Sequence, residues 1–322
     1  MGWNLREMRS GSRRLQRTRA LALGGLLALC LLALPLASCA TGTANGQGAG
    51  TIQVVAGENF WGSIAAQLGG SHVQVTSIVT DPNADPHEYE SNTNDARAFA
   101  TAQYVILNGA GYDTWGQKLL DANPVSGRKV FTVADLLHKR EGDNPHFWYN
   151  PEYVRQVANQ ITKDYTALDP ADASYFDTQN NQLLDVAMKS YFARIASIKA
   201  KFTGQKVGAT ESIFVYMANA LGLNLISPSA FMQAVAEGND PPAGSVAVFQ
   251  QQIQQRQITV LVYNVQSATS VTTTLKQMAA QQNIPVVGVS ETMQPPDATF
   301  QDWQYAQLLT LENALNANAL SK

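Results

Sequence analysis

The chain reads as an α/β protein: two similar α/β domains with mostly parallel sheets, joined by a long backbone helix and facing each other across a cleft. Three observations predict this. Short β-rich runs alternate with stretches of helical spacing, the pattern of layered sheets joined by crossover helices. The alternation occurs twice, on either side of a long segment without Gly or Pro. The 322 residues are enough for two domains of ordinary size.

In chain order, residues 1–38 come first and read as a secretory leader. Arg6, Arg9, Arg13, Arg14, Arg17 and Arg19 precede an apolar run over 20–36, which ends in small residues before Cys39. A retained transmembrane anchor is the alternative for a run of this length. Leu36-Ala37-Ser38-Cys39 resembles the lipobox of bacterial lipoproteins, which implies that Cys39 is the lipidated first residue of the mature chain. Lipidation would hold the protein on the membrane, since each buried CH₂ contributes about 0.8 kcal/mol. Residues 39–50 then form a lipid-anchored flexible tether with a reach of roughly 18 Å.

The first domain, 51–168, carries strand-like runs at 51–57, 72–79, 104–109 and 129–133, with helical spacing at 60–68, 93–102 and 113–121. Pro151 opens a helix ending near Leu168. Residues 169–202 form the linking segment, where Tyr175, Leu183, Leu184, Val186, Ala187, Tyr191, Ile195 and Ile198 recur at helical intervals. A continuous helix of about 30 residues there would measure roughly 45 Å, a spine between two domains. The second domain, 203–322, repeats the organisation with strands at 206–210, 223–227, 259–264 and 284–289. In such folds the loops at the carboxyl ends of the strands line the binding cleft.

Composition excludes several chemistries. The only cysteines, Cys30 and Cys39, lie in the leader region, so the folded part has no disulfide, iron–sulfur cluster, thiolate zinc site or Cys nucleophile. Loss of six arginines and one glutamate with the leader takes the formal charge from −3 to −8. That balance argues against nucleic acid as a partner and suits the attraction of cations.

Of the four histidines, His87 lies in the polar loop DPNADPHEYES and His146 in GDNPHFWYNP, neither on an apolar periodic face. DPHEYE together with NPHFWYNP, and NGAGYDTWGQKLL between them, resembles the zinc- and manganese-binding solute-binding proteins of bacterial ABC importers. The resemblance implies that His87 and His146 are metal ligands from the first domain. In GATESIFVYMANALGLN the matching second-domain position is Glu211, where zinc-type members commonly have His and manganese-type members Glu. The fourth ligand of the family is a carboxylate after a late strand, usually Asp. Here VVGVSETMQPPDATFQDW departs from that pattern and offers Glu291 first, with Asp297 and Asp302 as alternatives.

Two imidazoles and two carboxylates suit a borderline dication and would neutralise it. Asp85, Glu88, Glu90 and Asn144 are candidate partners for the imidazole N–H groups. The set leaves zinc against manganese open, and the absence of a His-rich loop between the first two ligand motifs removes one argument for zinc. The resemblance further implies an extracytoplasmic monomer that delivers Zn²⁺ or Mn²⁺ to an ABC transporter permease. Two other functions stand beside it. An exported metal-dependent hydrolase lacks an HExxH or GxSxG signature here, and a surface adhesin is distinguished by a loss that excess metal does not rescue. Trp61, Trp115, Trp148 and Trp303 read as core packing instead of a stacking box for an organic ligand.

Overall fold

The computed structural model of the chain describes residues 50–319 apart from Ala84; the leader, Cys39 and the tether up to residue 49 lie outside the described residues. Two four-stranded sheets, every pairing in them parallel, are each flanked by helices.

β1 (Ile52–Glu58) is buried at every position except Gln53, and β3 (Tyr104–Leu107) throughout. Continuous burial is what a central strand covered on both faces requires. β2 (Val73–Val79) lies at one edge and mixes buried with exposed residues, and β4 (Lys129–Thr132) closes the other edge. The crossovers are α1 (Asn59–Gly69), α2 (Thr93–Thr101) and α3 (Thr114–Ala122), and the short α4 (Val133–Leu136) follows β4. α2 starts in a reciprocal cap between Asn92 and Asp95. α5 (Pro151–Leu168) has Pro at its first position and Asn150 accepting from the Glu152 and Tyr153 N–H groups.

The linking segment is helical but is not one α-helix. α6 (Ala173–Asn181) runs into a π-helical turn at Gln182–Ala187, and α7 (Lys189–Phe202) follows. The Met188 N–H donates to the Leu183 carbonyl at 2.9 Å, five residues back. That wider turn puts Leu183 and Met188 on the face that continues through Tyr191, Ile195, Ile198 and Phe202, all buried. Val186, which the periodicity assigns to the apolar face, is 57% exposed instead.

The second sheet contains β5 (Lys206–Ala209), β6 (Asn224–Leu225), β7 (Leu261–Asn264) and β8 (Val286–Val289), with α8 (Val215–Ala220), α9 (Ser229–Ala236), α10 (Ala243–Gln254), α11 (Ser270–Gln281) and α12 (Phe300–Ala319). Its order, β6-β5-β7-β8, repeats that of the first, β2-β1-β3-β4. Each sheet therefore reverses its winding beside its first strand, and the crevice beyond the strand ends at such a point is where α/β sheets bind ligands.

One buried apolar core runs through both sheets, from Ile52 to Leu315. α12 ties the halves together: Gln301 and Gln67 exchange side-chain hydrogen bonds at 2.8 and 3.2 Å, and the Phe300 N–H donates to Ser63 Oγ at 3.0 Å. Glu312 on the same helix accepts from Arg194 and, at 2.8 Å, from Lys201 on α7. The four tryptophans among the described residues are buried; Trp148 stacks on Phe60 with centroids 3.9 Å apart, and Trp61 Nε1 donates to Asn108 at 3.0 Å.

Candidate metal centre

Six loops or strand ends meet at the carboxyl edges of the two sheets. His87 sits in the 3₁₀ turn Pro86–Glu88 beyond β2, where its backbone N–H donates to Asp85 Oδ1 at 3.0 Å. His146 ends the loop between α4 and the turn Phe147–Tyr149. Glu211 and Glu291 each stand two residues beyond their strands, β5 and β8.

The structure brings all four together. His87 Nε2 lies 3.3 Å from Glu291 Oε2, and His146 Nε2 lies 3.2 Å from Glu211 Oε1 and 3.8 Å from Glu291 Oε2. One donor atom from each residue falls within 4.8 Å of the other three. His146, Glu211 and Glu291 are fully buried, while the His87 side chain is 20% exposed. His87 Nε2, His146 Nε2 and Glu211 Oε1 are buried without an aligned hydrogen bond, so three polar atoms converge without satisfying one another. The spacing is informative: four ligands at about 2.0–2.2 Å from a tetrahedral ion stand about 3.3–3.6 Å apart.

Neighbouring groups orient these donors. His146 Nδ1 donates to Asn144 Oδ1 at 2.7 Å, because the Asn144 amide nitrogen is already committed to the Ser212 carbonyl at 2.8 Å. That fixes the neutral tautomer with the Nε2 lone pair facing the carboxylates. Asn264, at the end of β7, donates through Nδ2 to Glu211 Oε2 and, at 2.8 Å, to Glu291 Oε1. The Tyr112 hydroxyl donates to Glu291 Oε2 at 2.7 Å. Gln266 Oε1 accepts from the Glu291 and Thr292 N–H groups at 2.7 and 3.0 Å, holding the loop that presents Glu291. Ser267 Oγ reaches Glu291 Oε1 at 3.3 Å and Asp85 Oδ2 at 3.4 Å.

Electrostatics divides the four groups. Burial disfavours a charged His87, yet the facing Glu291 carboxylate outweighs it and raises its pKa to about 9. Burial, reinforced by the Glu291 charge, pushes Glu211 up to about 8. Burial acts in the same direction on Glu291, but the imidazoles of His87 and His146 hold it well below the usual carboxylate range. His146 is lowered, chiefly by burial. At neutral pH the cluster thus holds one carboxylate, one imidazolium, one neutral carboxylic acid and one neutral imidazole, a set with no net charge.

Of the other sequence candidates, Asn144 meets an imidazole N–H, that of His146, whereas Asp85 stands against the cluster but accepts from the His87 backbone N–H and Ser267 Oγ instead of an imidazole. Glu88 and Glu90 do neither: both are exposed and make no side-chain hydrogen bond or ion pair among the described residues. In the 3₁₀ turn successive side chains diverge by about 120°, so presenting His87 inward turns its neighbour Glu88 away. Asp297 is exposed, and Asp302 accepts from Thr299 Oγ1 at 2.7 Å at the start of α12. Tyr112, Asn264, Gln266 and Ser267 were not among the sequence candidates. Asn264 carried the one usable signal, a polar side chain closing an otherwise apolar strand.

Outside the cluster, His87, Tyr112 and Asn144 line a cavity of roughly 550 Å³ whose wall includes Glu141, Asp143 and Glu237. A negative mouth above a buried site raises the local concentration of cations.

Known proteins resemble this chain in sequence or in fold. The manganese ABC transporter substrate-binding lipoprotein PsaA of Streptococcus anginosus is 26% identical over 284 residues, 82% of this chain and 87% of that protein. The iron ABC transporter substrate-binding lipoprotein MtsA of Streptococcus pyogenes serotype M1 is 26% identical over 235 residues, 66% of this chain and 70% of that protein. The fold matches that of the Mn-bound periplasmic metal-binding protein from Candidatus Liberibacter asiaticus, with TM-score 0.67 and 19% identity over 81% of this chain and 98% of that one. A crystal structure of ZnuA matches with TM-score 0.65 and 22% identity over 83% and 99%. Residues 54–314, nearly all of the described chain, match the family of ZnuA, the periplasmic component A of the zinc-uptake complex, and the chain belongs to that family.

Proposed function

We propose that this protein captures a divalent transition metal outside the cytoplasm and delivers it to an ABC importer, with His87, His146, Glu211 and Glu291 as the ligands. The observation that carries the reading is the convergence of four buried donors at 3.2–3.8 Å, three of them without another partner. The metal is cargo, not a resident cofactor. Its arrival would displace a proton from His87 and another from Glu211, exchanging two protons for one dication without a change of charge in a buried site.

Four protein donors complete a tetrahedral shell, which supports capture over hydrolysis, since a catalytic ion keeps a position open for water. Zinc suits four single-oxygen or nitrogen contacts; manganese would call on the second oxygens of Glu211 and Glu291, which Asn264 holds. Zinc also outbinds manganese at most N/O sites, so transported cargo is a separate matter from affinity. Lipidation at Cys39, a tether over 39–50, a two-domain division at 169–202, a monomeric state and a permease partner complete the proposal.

The test is elemental analysis and titration calorimetry of the chain from Gly50, stripped of metal and offered Zn²⁺ and Mn²⁺. The expected result is about one tightly bound ion at the cleft, weakened about 100-fold or more by His87→Ala and by Glu211→Ala. Tight binding indifferent to both substitutions would sink the ligand assignment.

A further inference from the structure

A second group of metal-ligating side chains lies at the other end of the first sheet. His72 ends the turn Gly70–His72 between α1 and β2, Asp169 follows α5, and Asp172 ends the turn Pro170–Asp172 before α6. His72 Nδ1 is 3.0 Å from Asp172 Oδ2, and one donor atom of each residue falls within 4.8 Å of the other two. Three different loops or helix ends therefore point a nitrogen and two oxygens at one place.

The ion pair between His72 and Asp172 by itself would be an ordinary surface contact. Asp169 is what sets the cluster apart. It is only 3% exposed, and its carboxylate makes no hydrogen bond or ion pair among the described residues, nor does it cap the turn it precedes. A carboxylate this enclosed keeps little solvation and has no protein donor, so a cation is the partner that would compensate its charge. The His72 ring is held by aromatic neighbours, Tyr175 at 4.3 Å between centroids and Phe176 edge-on at 5.7 Å, which restricts its rotation. Asp172 and His72 keep 38% and 27% exposure, so an ion has access from solvent.

We propose that His72, Asp169 and Asp172 form a second, peripheral site for a divalent transition metal of the zinc class. One imidazole nitrogen and two carboxylate oxygens make three protein bonds, and water completes the shell. Two carboxylates balance the dication. With three donors and open positions the site binds more weakly than the cleft. It is also independent of it: His146 precedes α5 and Asp169 follows it, and an 18-residue helix is about 27 Å long. One ion cannot bridge the two.

The experiment adds Zn²⁺ alone to the metal-free mature chain, with calorimetry for stoichiometry and the imidazole ¹⁵N shifts of His72 as a second readout. In the cleft-disabled variant His87→Ala/Glu291→Gln, about one zinc equivalent is expected to remain, with the His72 Nδ1 resonance moving on addition. Adding Asp169→Asn, or His72→Gln should the buried substitution impair folding, should remove that equivalent. In the otherwise native chain, Asp169→Asn should reduce two binding events to the tight one. The proposal is overturned if the cleft-disabled variant takes no zinc, if its zinc is indifferent to both substitutions, or if His72 Nδ1 does not respond, leaving a His–Asp ion pair only. Loss of the tight event alone in the His87→Ala/Glu291→Gln chain bears on the cleft assignment and not on this one.

Discussion

Acidification from pH 7 to pH 6 should weaken metal binding at the cleft by close to 100-fold. Without metal, His87 holds a proton up to about pH 9 and Glu211 up to about pH 8. Both must lose it to become ligands, whereas Glu291 is already ionised and His146 already neutral. Two protons released per ion make the binding constant rise about 100-fold per pH unit, equivalent to about 2.7 kcal/mol, while both groups remain protonated. Between pH 8 and 9 only His87 still contributes, so the slope should fall to about tenfold, and above that it should flatten. Calorimetry at pH 7 in buffers of different ionisation enthalpy counts the protons directly, and competition with a chelator of known pH dependence gives the slope. Release of fewer than about one proton, or an affinity that does not change between pH 6 and 7, would refute the charge assignment at the four ligands.

The same groups set the stability of the metal-free protein. His87 has a folded pKa above its ordinary 6.5, so its contribution is complete below that value and lost as pH rises through about 9. Glu211, raised from 4.5 to about 8, adds a destabilising charge over its own range, so metal-free thermal stability should fall from pH 6.5 to 9 while metal-saturated stability does not; equal trends would contradict this. Asn264→Leu removes the amide shared by both carboxylates and should weaken metal binding about 10–100-fold, measured by chelator competition. Gly109→Ala should destabilise by at least about 2 kcal/mol in urea unfolding. Gly109 has φ 76°, and an added Cβ would stand 2.5 Å from Thr132 Cγ2 and 2.9 Å from Ala134 Cβ. Glu312→Gln should cost about 1 kcal/mol, less at high salt, since the Lys201 and Arg194 contacts that lower its pKa reach solvent.

Much of the fold is visible in the order of residues because its cause is local. The runs that became β1, β3 and β7 are apolar enough to be buried on both faces, and Asn150-Pro151 and the Asn92–Asp95 pair mark helix starts by satisfying backbone N–H groups nearby. The linking segment shows where locality ends. Its spacing admits a single α-helix, but packing against the core selects Leu183 and Met188 and leaves Val186 in solvent, and a π turn is the local adjustment that allows this. Nothing within a window of one helical turn could decide between those faces.

At the centre, the family resemblance carried by DPHEYE, NPHFWYNP and GATESIFVYMANALGLN pointed to His87, His146 and Glu211, and VVGVSETMQPPDATFQDW offered Glu291 first, in a chain without cysteine in its folded part. That Glu291, and neither Asp297 nor Asp302, stands beside the other three, the outward turn of Glu88 and Glu90, and the parts taken by Tyr112, Asn264, Gln266 and Ser267 were decided by tertiary structure. Tyr112 and Glu291 are 179 positions apart and still 2.7 Å from hydroxyl to carboxylate, a contact made by bringing the carboxyl ends of two sheets together. What the sequence by itself determined was the chemistry available and the periodicities that bury apolar faces, both properties of single residues and short spacings. What the tertiary structure alone decided was which donors share a point, what neighbours orient them and how their charges divide, since each depends on groups that meet only when both sheets are in place.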